Sequence, residues 1–301
     1  MRTLEYLFGA PELRATFWPP VVVGLLVAAL SSALSVPVVL KRMAFVGQGV
    51  SHAAFGGVGV ALALGLVVGA AAHGTGLLAV VTLFCIAAAL GIAWLSDRPG
   101  ARTDTAIGIV LAGSMAVGFL LIRAAAGRMR ATGLPPPPSV ESILFGSVLN
   151  VGPGDAVLAA VVAAGVLAVL WWYRRPLLFW AFDEGASPAF GVPSRAMRSL
   201  LLIVLALAIV VTMRLAGVVL ATALLVLPGA AALELSDRLR PVYAIAMAVG
   251  ILGVAVGLVL SFEMNWQPGP SIVLALTAMF AAARASSSLR SRPAPPQERP
   301  A

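Results

Sequence analysis

One cysteine, two histidines and 12 acidic residues are spread over a chain of 301 residues. A lone Cys85 cannot close an internal disulfide, and no Cys/His spacing surrounds it, so it reads as a small buried hydrophobe. Charge is equally scarce: 11% of residues are charged and 60% hydrophobic, with a mean hydropathy of +1.01. A soluble protein of this length needs far more charge to cover its surface. The first residues lack the basic start, short apolar core and small-residue cleavage site of a secretory signal. Residues 1–16 read instead as an interfacial segment. No polar stretch is long enough for a soluble domain, which excludes a nucleotide-binding or catalytic domain within these residues.

What the chain has is apolar length. Runs at about 17–40, 43–72, 77–95, 104–123, 155–173, 196–213, 215–233, 241–261 and 270–286 each approach or exceed the roughly 20 residues that span a bilayer. The pattern predicts an all-α polytopic membrane protein with eight or nine transmembrane helices. The run at 139–149 is too short to cross and reads as a short re-entrant helix, preceded by the stiff Pro135–Pro138 stretch. From Ser286 onward the chain is polar and proline-rich. The expected division is a transmembrane domain over 1–288 and a disordered cytoplasmic tail over 289–301.

The formal net charge is +8. Its Arg residues are scattered over loops rather than gathered into a stripe, so no nucleic-acid partner is expected and membrane lipid is. Placing Lys41/Arg42, Arg98/Arg102, Arg174/Arg175/Arg195/Arg198, Arg238/Arg240 and the tail in the cytoplasm puts most of the basic residues on one side. With nine spans, the N-terminus is then external.

Polar residues inside apolar segments are costly and usually face protein, water or a substrate path. The stretch GQGVSHAAFGG, from Gly47 to Gly57, carries three. Gln48 and His52 are four apart, so in a helix they project from one face, one turn apart. Nine glycines and alanines between Gly47 and Ala63 allow close helix approach, as at a bundle centre. Such a pair either bridges helices or presents an imidazole, a common ligand of zinc, iron and manganese, with a weaker amide oxygen. Ser51–His52 is no hydrolase dyad, because adjacent helical residues point about 100° apart. His73, in AAHGTG, reads as a solvated loop residue, and Arg214 as marking an external turn. The loop RRPLLFWAFDEGASPAFGVPSR at 174–195 is amphipathic and punctuated by Gly191 and Pro193; it suits a small interfacial helix that anchors the membrane or docks into a groove on a soluble partner.

These stretches together resemble a known family. KRMAFVGQGVSHAAFGGVGVAL is similar to the signature R-R-M-x-x-x-G-D-x-x-S-H-A of permease subunits of bacterial zinc/manganese/iron ABC importers. The resemblance continues through DTAIGIVLAGSMAVGFLLI, ILFGSVLNVGPGD, AFDEGASPAFGVPSR, MRLAGVVLATALLVLPGAAAL and QPGPSIVLALTAMF, in the family's order, over most of residues 40–285. It implies a multi-pass permease of the bacterial inner membrane that performs no covalent chemistry and forms a homodimer around a metal path. A cytosolic ATPase subunit binds ATP and drives transport, and an extracytoplasmic metal-binding protein delivers the ion. No cofactor of its own is implied. His52 matches the family's metal-path histidine; the matching aspartate is Gln48 here, which removes one negative charge per subunit. Asp183, Gly191 and Pro193 match the helix that couples to the ATPase, whereas Glu184 stands where proline is common. An imidazole without a carboxylate points to Zn2+ ahead of Mn2+ or Fe2+ as cargo. The alternatives are an ABC permease for a metal chelate or cobalamin, which would want a wider cavity, and an intramembrane enzyme. The enzyme would need a catalytic pair on converging helices, where the sequence has only His52 and His73 as histidines and no carboxylate pair within one span.

Overall fold

The computed structural model describes residues 11–66, 75–98, 102–133 and 153–290. Among them are helices α1 (Pro11–Leu40), α2 (Ala44–Ala63), α3 (Thr75–Ser96), α4 (Thr103–Ala131), α5 (Pro153–Trp172), α6 (Arg174–Phe182), α7 (Ser194–Leu235), α8 (Leu239–Met264) and α9 (Pro268–Arg290), plus a 3-10 turn at Ser187–Phe190. No strand occurs among the described residues. Eight segments are long and apolar enough to cross a membrane, or nine when α5 and α6, bent by 68° at their junction, are taken as one span. The segment at 139–149, His73 and the tail beyond Arg290 lie outside the described residues.

Helix α7 holds two of these segments, Ser194–Met213 and Gly217–Leu235, separated by Gly217 at φ 79°, ψ 169°. Both of its ends reach the foot of α1. Arg198 bonds Glu184, which bonds Lys41, while Ala232 packs with Val36. The chain therefore turns back at the Gly217 break, a backbone shape that a residue with a Cβ resists. That is where the apolar runs separate in the sequence; the side chain of Arg214 is outside the described residues.

Three boundaries differ from the apolar runs. The run from 43 continues to 72, but α2 ends at Ala63 because Gly65 adopts φ 73° and its N–H, with those of Leu64 and Leu66, closes the last turn onto Leu62, Val60 and Ala61. Helix α4 runs past Arg123 to Ala131 and stops before Gly133, at φ 68°. Long Arg side chains keep their heads wet while their stems stay apolar, so charge alone does not end a helix. Helix α9 runs through the serines to Arg290, and Ser286 and Ser288 donate to the carbonyls of Ala283 and Ala285 at 2.8 Å.

Helix α2 is the centre of one half. It packs against α3, α4 and α7, and 72% of its membrane window is buried, compared with 22% for α4 and α9. Its glycines make this possible. A Cβ on Gly118 of α4 would lie 2.6 Å from the backbone C and O of Phe55, and one on Gly59 would lie 2.9 Å from the carbonyl oxygen of Gly118. The two helices thus meet backbone to backbone. Around them, Leu34, Val50, Cys85, Ile92, Leu205 and Ile209 form a continuous buried cluster.

Candidate functional site

One stripe of α2 stays open. Phe45 is 63% exposed and Gln48 is exposed, His52 is half-buried, and Gly47, Gly49, Val50 and Ser51 between them are buried. Gln48 and His52 therefore do share a face, as their spacing requires. The bond between them is not the one their side chains would make. The Nδ1 of His52 lies 3.0 Å from the backbone carbonyl oxygen of Gln48, and Ser51 Oγ donates to the same oxygen at 3.0 Å. A carbonyl only accepts, so Nδ1 carries the proton and the lone pair of the neutral ring sits on Nε2. Fixing one ring nitrogen on a carbonyl is how proteins orient a metal-binding imidazole. The amide of Gln48 has no partner of its own among the described residues and stands on the open stripe one turn away. Among the described residues no three His, Cys, Asp or Glu side chains group closely enough to hold a metal ion. Among the described residues, His52 and Gln48 are the polar side chains left open on this stripe.

The loop between α6 and α7 is built locally and tied down remotely. Asp183 Oδ1 accepts the N–H of Ala186 at 2.9 Å, and its carbonyl accepts Ser187 Oγ at 2.6 Å, which shapes the 3-10 turn. Gly191 closes that turn at φ 75°, and Pro193 precedes the first residue of α7 in an extended conformation. Within the 174–195 loop, where a small interfacial helix is expected, the chain forms α6 and then the 3-10 turn. The left-handed Gly191 and the extended Asp183 and Pro193 break the regular pattern.

Sequence reasoning missed the residues that anchor this loop. Glu184 Oε2 accepts from Lys41 Nζ at 2.6 Å, and Oε1 accepts from Arg198, which also bonds Asp97. Lys41 lies 4.2 Å above the ring of the fully buried Trp180. Partial burial raises the pKa of the Glu184 carboxyl, but the hydrogen bonds and charges of Lys41 and Arg198 outweigh it and hold the group below its ordinary value. The same groups, with Arg42, Arg102 and Asp104, line a cavity of about 330 Å3. The only sequence signal was the rarity of acids: each loop carboxylate has several cations on the same predicted side to choose from.

The comparisons with known proteins agree on one family. A profile described as the ABC 3 transport family matches residues 15–287. The chain is 31% identical over 268 residues to a probable iron transport system membrane protein of Haemophilus influenzae, covering 89% of this chain and 92% of that one. It is likewise 31% identical to the manganese transport system membrane protein MntC of Halalkalibacterium halodurans, covering 94% and 91%. Among solved structures, PsaBC from Streptococcus pneumoniae in complex with a Fab contains a chain matching with a TM-score of 0.76 at 25% identity, covering 96% of this chain and 98% of that one. An array of membrane-length helices and this match along nearly the whole chain have one reading: the chain belongs to the ABC 3 transport family, as a multi-pass inner-membrane permease of the bacterial metal-ion ABC importers.

Proposed function

We propose that this permease imports a divalent first-row transition-metal ion by alternating access, as two copies related by a two-fold axis. The observation that carries the reading is the open stripe of α2, where His52 is oriented through Nδ1 and Gln48 stands beside it. A single stripe provides too few donors for a metal ion, and a two-fold axis beside it doubles the set to two imidazoles and two amides. An extracytoplasmic binding protein releases the ion between the subunits. A cytosolic ATPase engages Asp183–Pro193 of each, and ATP-driven closure below turns the path inward. The donor set, with imidazole and no carboxylate, ranks zinc ahead of manganese or iron. The names of the relatives, manganese and iron, support the wider class. Uptake of radioactive zinc and manganese by cells with and without the gene tests both levels. Equal uptake of both metals without the gene would refute the transport reading, and a manganese-only loss would reverse the ranking.

A further inference from the structure

Four charged residues from segments far apart in sequence meet at one end of the helical array, the end that the basic loops assign to the cytoplasm. Lys41 follows α1, Asp97 follows α3, Glu184 follows α6 and Arg198 lies in the first turns of α7. Glu184 is the junction. Each of its two oxygens takes a different cation, and its main-chain carbonyl accepts Ser194 Oγ at 3.1 Å. By contrast, the side chain and carbonyl of Asp183 bond Ala186 and Ser187 in the loop and its N–H caps α6 on Phe179, so Asp183 shapes the turn without linking it to a helix beyond α6.

We infer that Glu184 is a positioning residue that carries movement of the coupling loop to the foot of α2, and so to the Gln48–His52 stripe. The inference rests on the reading of Asp183–Pro193 as the ATPase contact. The path from Glu184 is short and stiff. Lys41 is held from two directions, by the Glu184 carboxylate and by the Trp180 ring, and its side chain is only 13% exposed. Between it and α2 lie just Arg42 and Met43. Arg42 is held at φ 54°, unusual for a residue with a side chain, and the Met43 N–H and carbonyl bond Val38 and Val46. That turn has little slack to absorb a displacement. Beyond it α2 is an unbroken helix, with His52 about 12 Å along its axis from Ala44 at 1.5 Å per residue. Arg198 offers the second branch, carrying the same displacement into α7 and, through Asp97, into the end of α3.

The test uses the complete transporter, with its ATPase and binding protein, in vesicles, and reads the number of manganese or zinc ions moved per ATP hydrolysed. Glu184→Gln keeps the shape of the side chain and removes its charge; Lys41→Gln removes one partner. Each should lower ions per ATP about 2- to 30-fold, the range of coupling changes of such contacts, while ATP hydrolysis and binding of the ATPase persist. The double variant should be no worse than the worse single one, because both break one link. Glu234→Gln, whose partner is Arg284 away from this cluster, should leave the ratio unchanged. A merely structural role would reduce the amount of folded permease and leave the ratio intact. That result, or independent effects of the two substitutions, overturns the assignment. If Glu184→Gln does not fold, Glu184→Asp together with Lys41→Gln answers the same question. Gly191→Val separates the two readings: if it uncouples while Glu184→Gln does not, the loop contacts the ATPase and the link through Glu184 fails. If Gly191→Val neither uncouples nor weakens ATPase binding, the contact itself is wrong.

Discussion

His52 takes its orientation from the main chain of Gln48: Nδ1 lies 3.0 Å from that carbonyl oxygen, and the Gln48 side chain has no part in the bond. Substituting Gln48 therefore leaves the imidazole aimed as before. His52→Ala should reduce metal uptake per folded permease by at least about 10-fold, the scale of loss when even an outer partner of a metal ligand is removed. Gln48→Ala should cost less, and Gln48→Asp, by adding two carboxylates per dimer, should move preference towards manganese. Competition between radioactive zinc and manganese, normalised to folded protein, measures all three. If uptake per molecule survives His52→Ala, the stripe is packing and the path runs elsewhere.

The two-copy arrangement has a direct chemical test. Phe45, on the same stripe, is 63% exposed, and Cys85 is fully buried. In a Cys85→Ala background, Phe45→Cys should give a covalent dimer with a short bifunctional maleimide in native membranes. Leu120→Cys, at an exposed position of α4 away from this stripe, should not. Cross-linking at neither position would place the seam on another helix.

Gly118→Ala should destabilise the permease by about 1–3 kcal/mol, the usual cost of forcing extra bulk into a packed contact. The added methyl would meet main-chain atoms of Phe55 and Gly56, which cannot rotate away. Gly113, five residues earlier on the same helix, has open space for 4 Å around the place a Cβ would take, so Gly113→Ala should be neutral or slightly stabilising. Thermal unfolding in detergent compares them, and equal melting temperatures would contradict the backbone contact.

At Gly191 the limit is conformational rather than steric. No atom lies within 4 Å of where a Cβ would stand, yet φ is 75°. A β-branched residue resists that region, at roughly 1–2 kcal/mol, while Asn tolerates it. Gly191→Val should uncouple ATP hydrolysis from uptake and Gly191→Asn should largely retain coupling. Similar behaviour of the two would show that the turn's shape is irrelevant.

The depressed pKa of Glu184 fixes the sign of a pH effect. A carboxyl held below its unfolded value adds stability at pH above that unfolded value and loses it as pH falls through the folded one. Wild type should therefore melt above Glu184→Gln at pH 7, with the gap closing as pH drops below about 4.3, the reference glutamate value. A gap that widens on acidification would reverse the assigned charge state.

The spans were legible because a bilayer demands length and hydrophobicity, and both are local. The runs near 77–95, 196–213 and 241–261 locate their helices to within a few residues. The apolar runs to 123 and 286 stop short of their helices, which continue to Ala131 and Arg290, since Arg stems and serine back-bonds both sit well on a helix. The Gln48–His52 face followed from a four-residue spacing. The Glu184 junction did not, because 143 residues separate Glu184 from Lys41 and only the folded bundle brings them together. Proximity of that kind leaves no periodicity to read.

Where α2 meets α4, main chain lies against main chain at Gly59 and Gly118, and the rings of Phe55 and Phe119 stack beside that contact. Most helix pairs resist axial motion because each knob must leave its hole. Here Gly59 and Gly118 present bare main chain to each other, while the Phe55–Phe119 stack and Ile107 seated against Gly49 key the two helices together. Sliding α2 along α4 would have to break that ring stack and lift Ile107 away from Gly49. A joint of this kind favours α2 and α4 moving as one body, and its closeness makes Gly59 and Gly118 intolerant of even a methyl group.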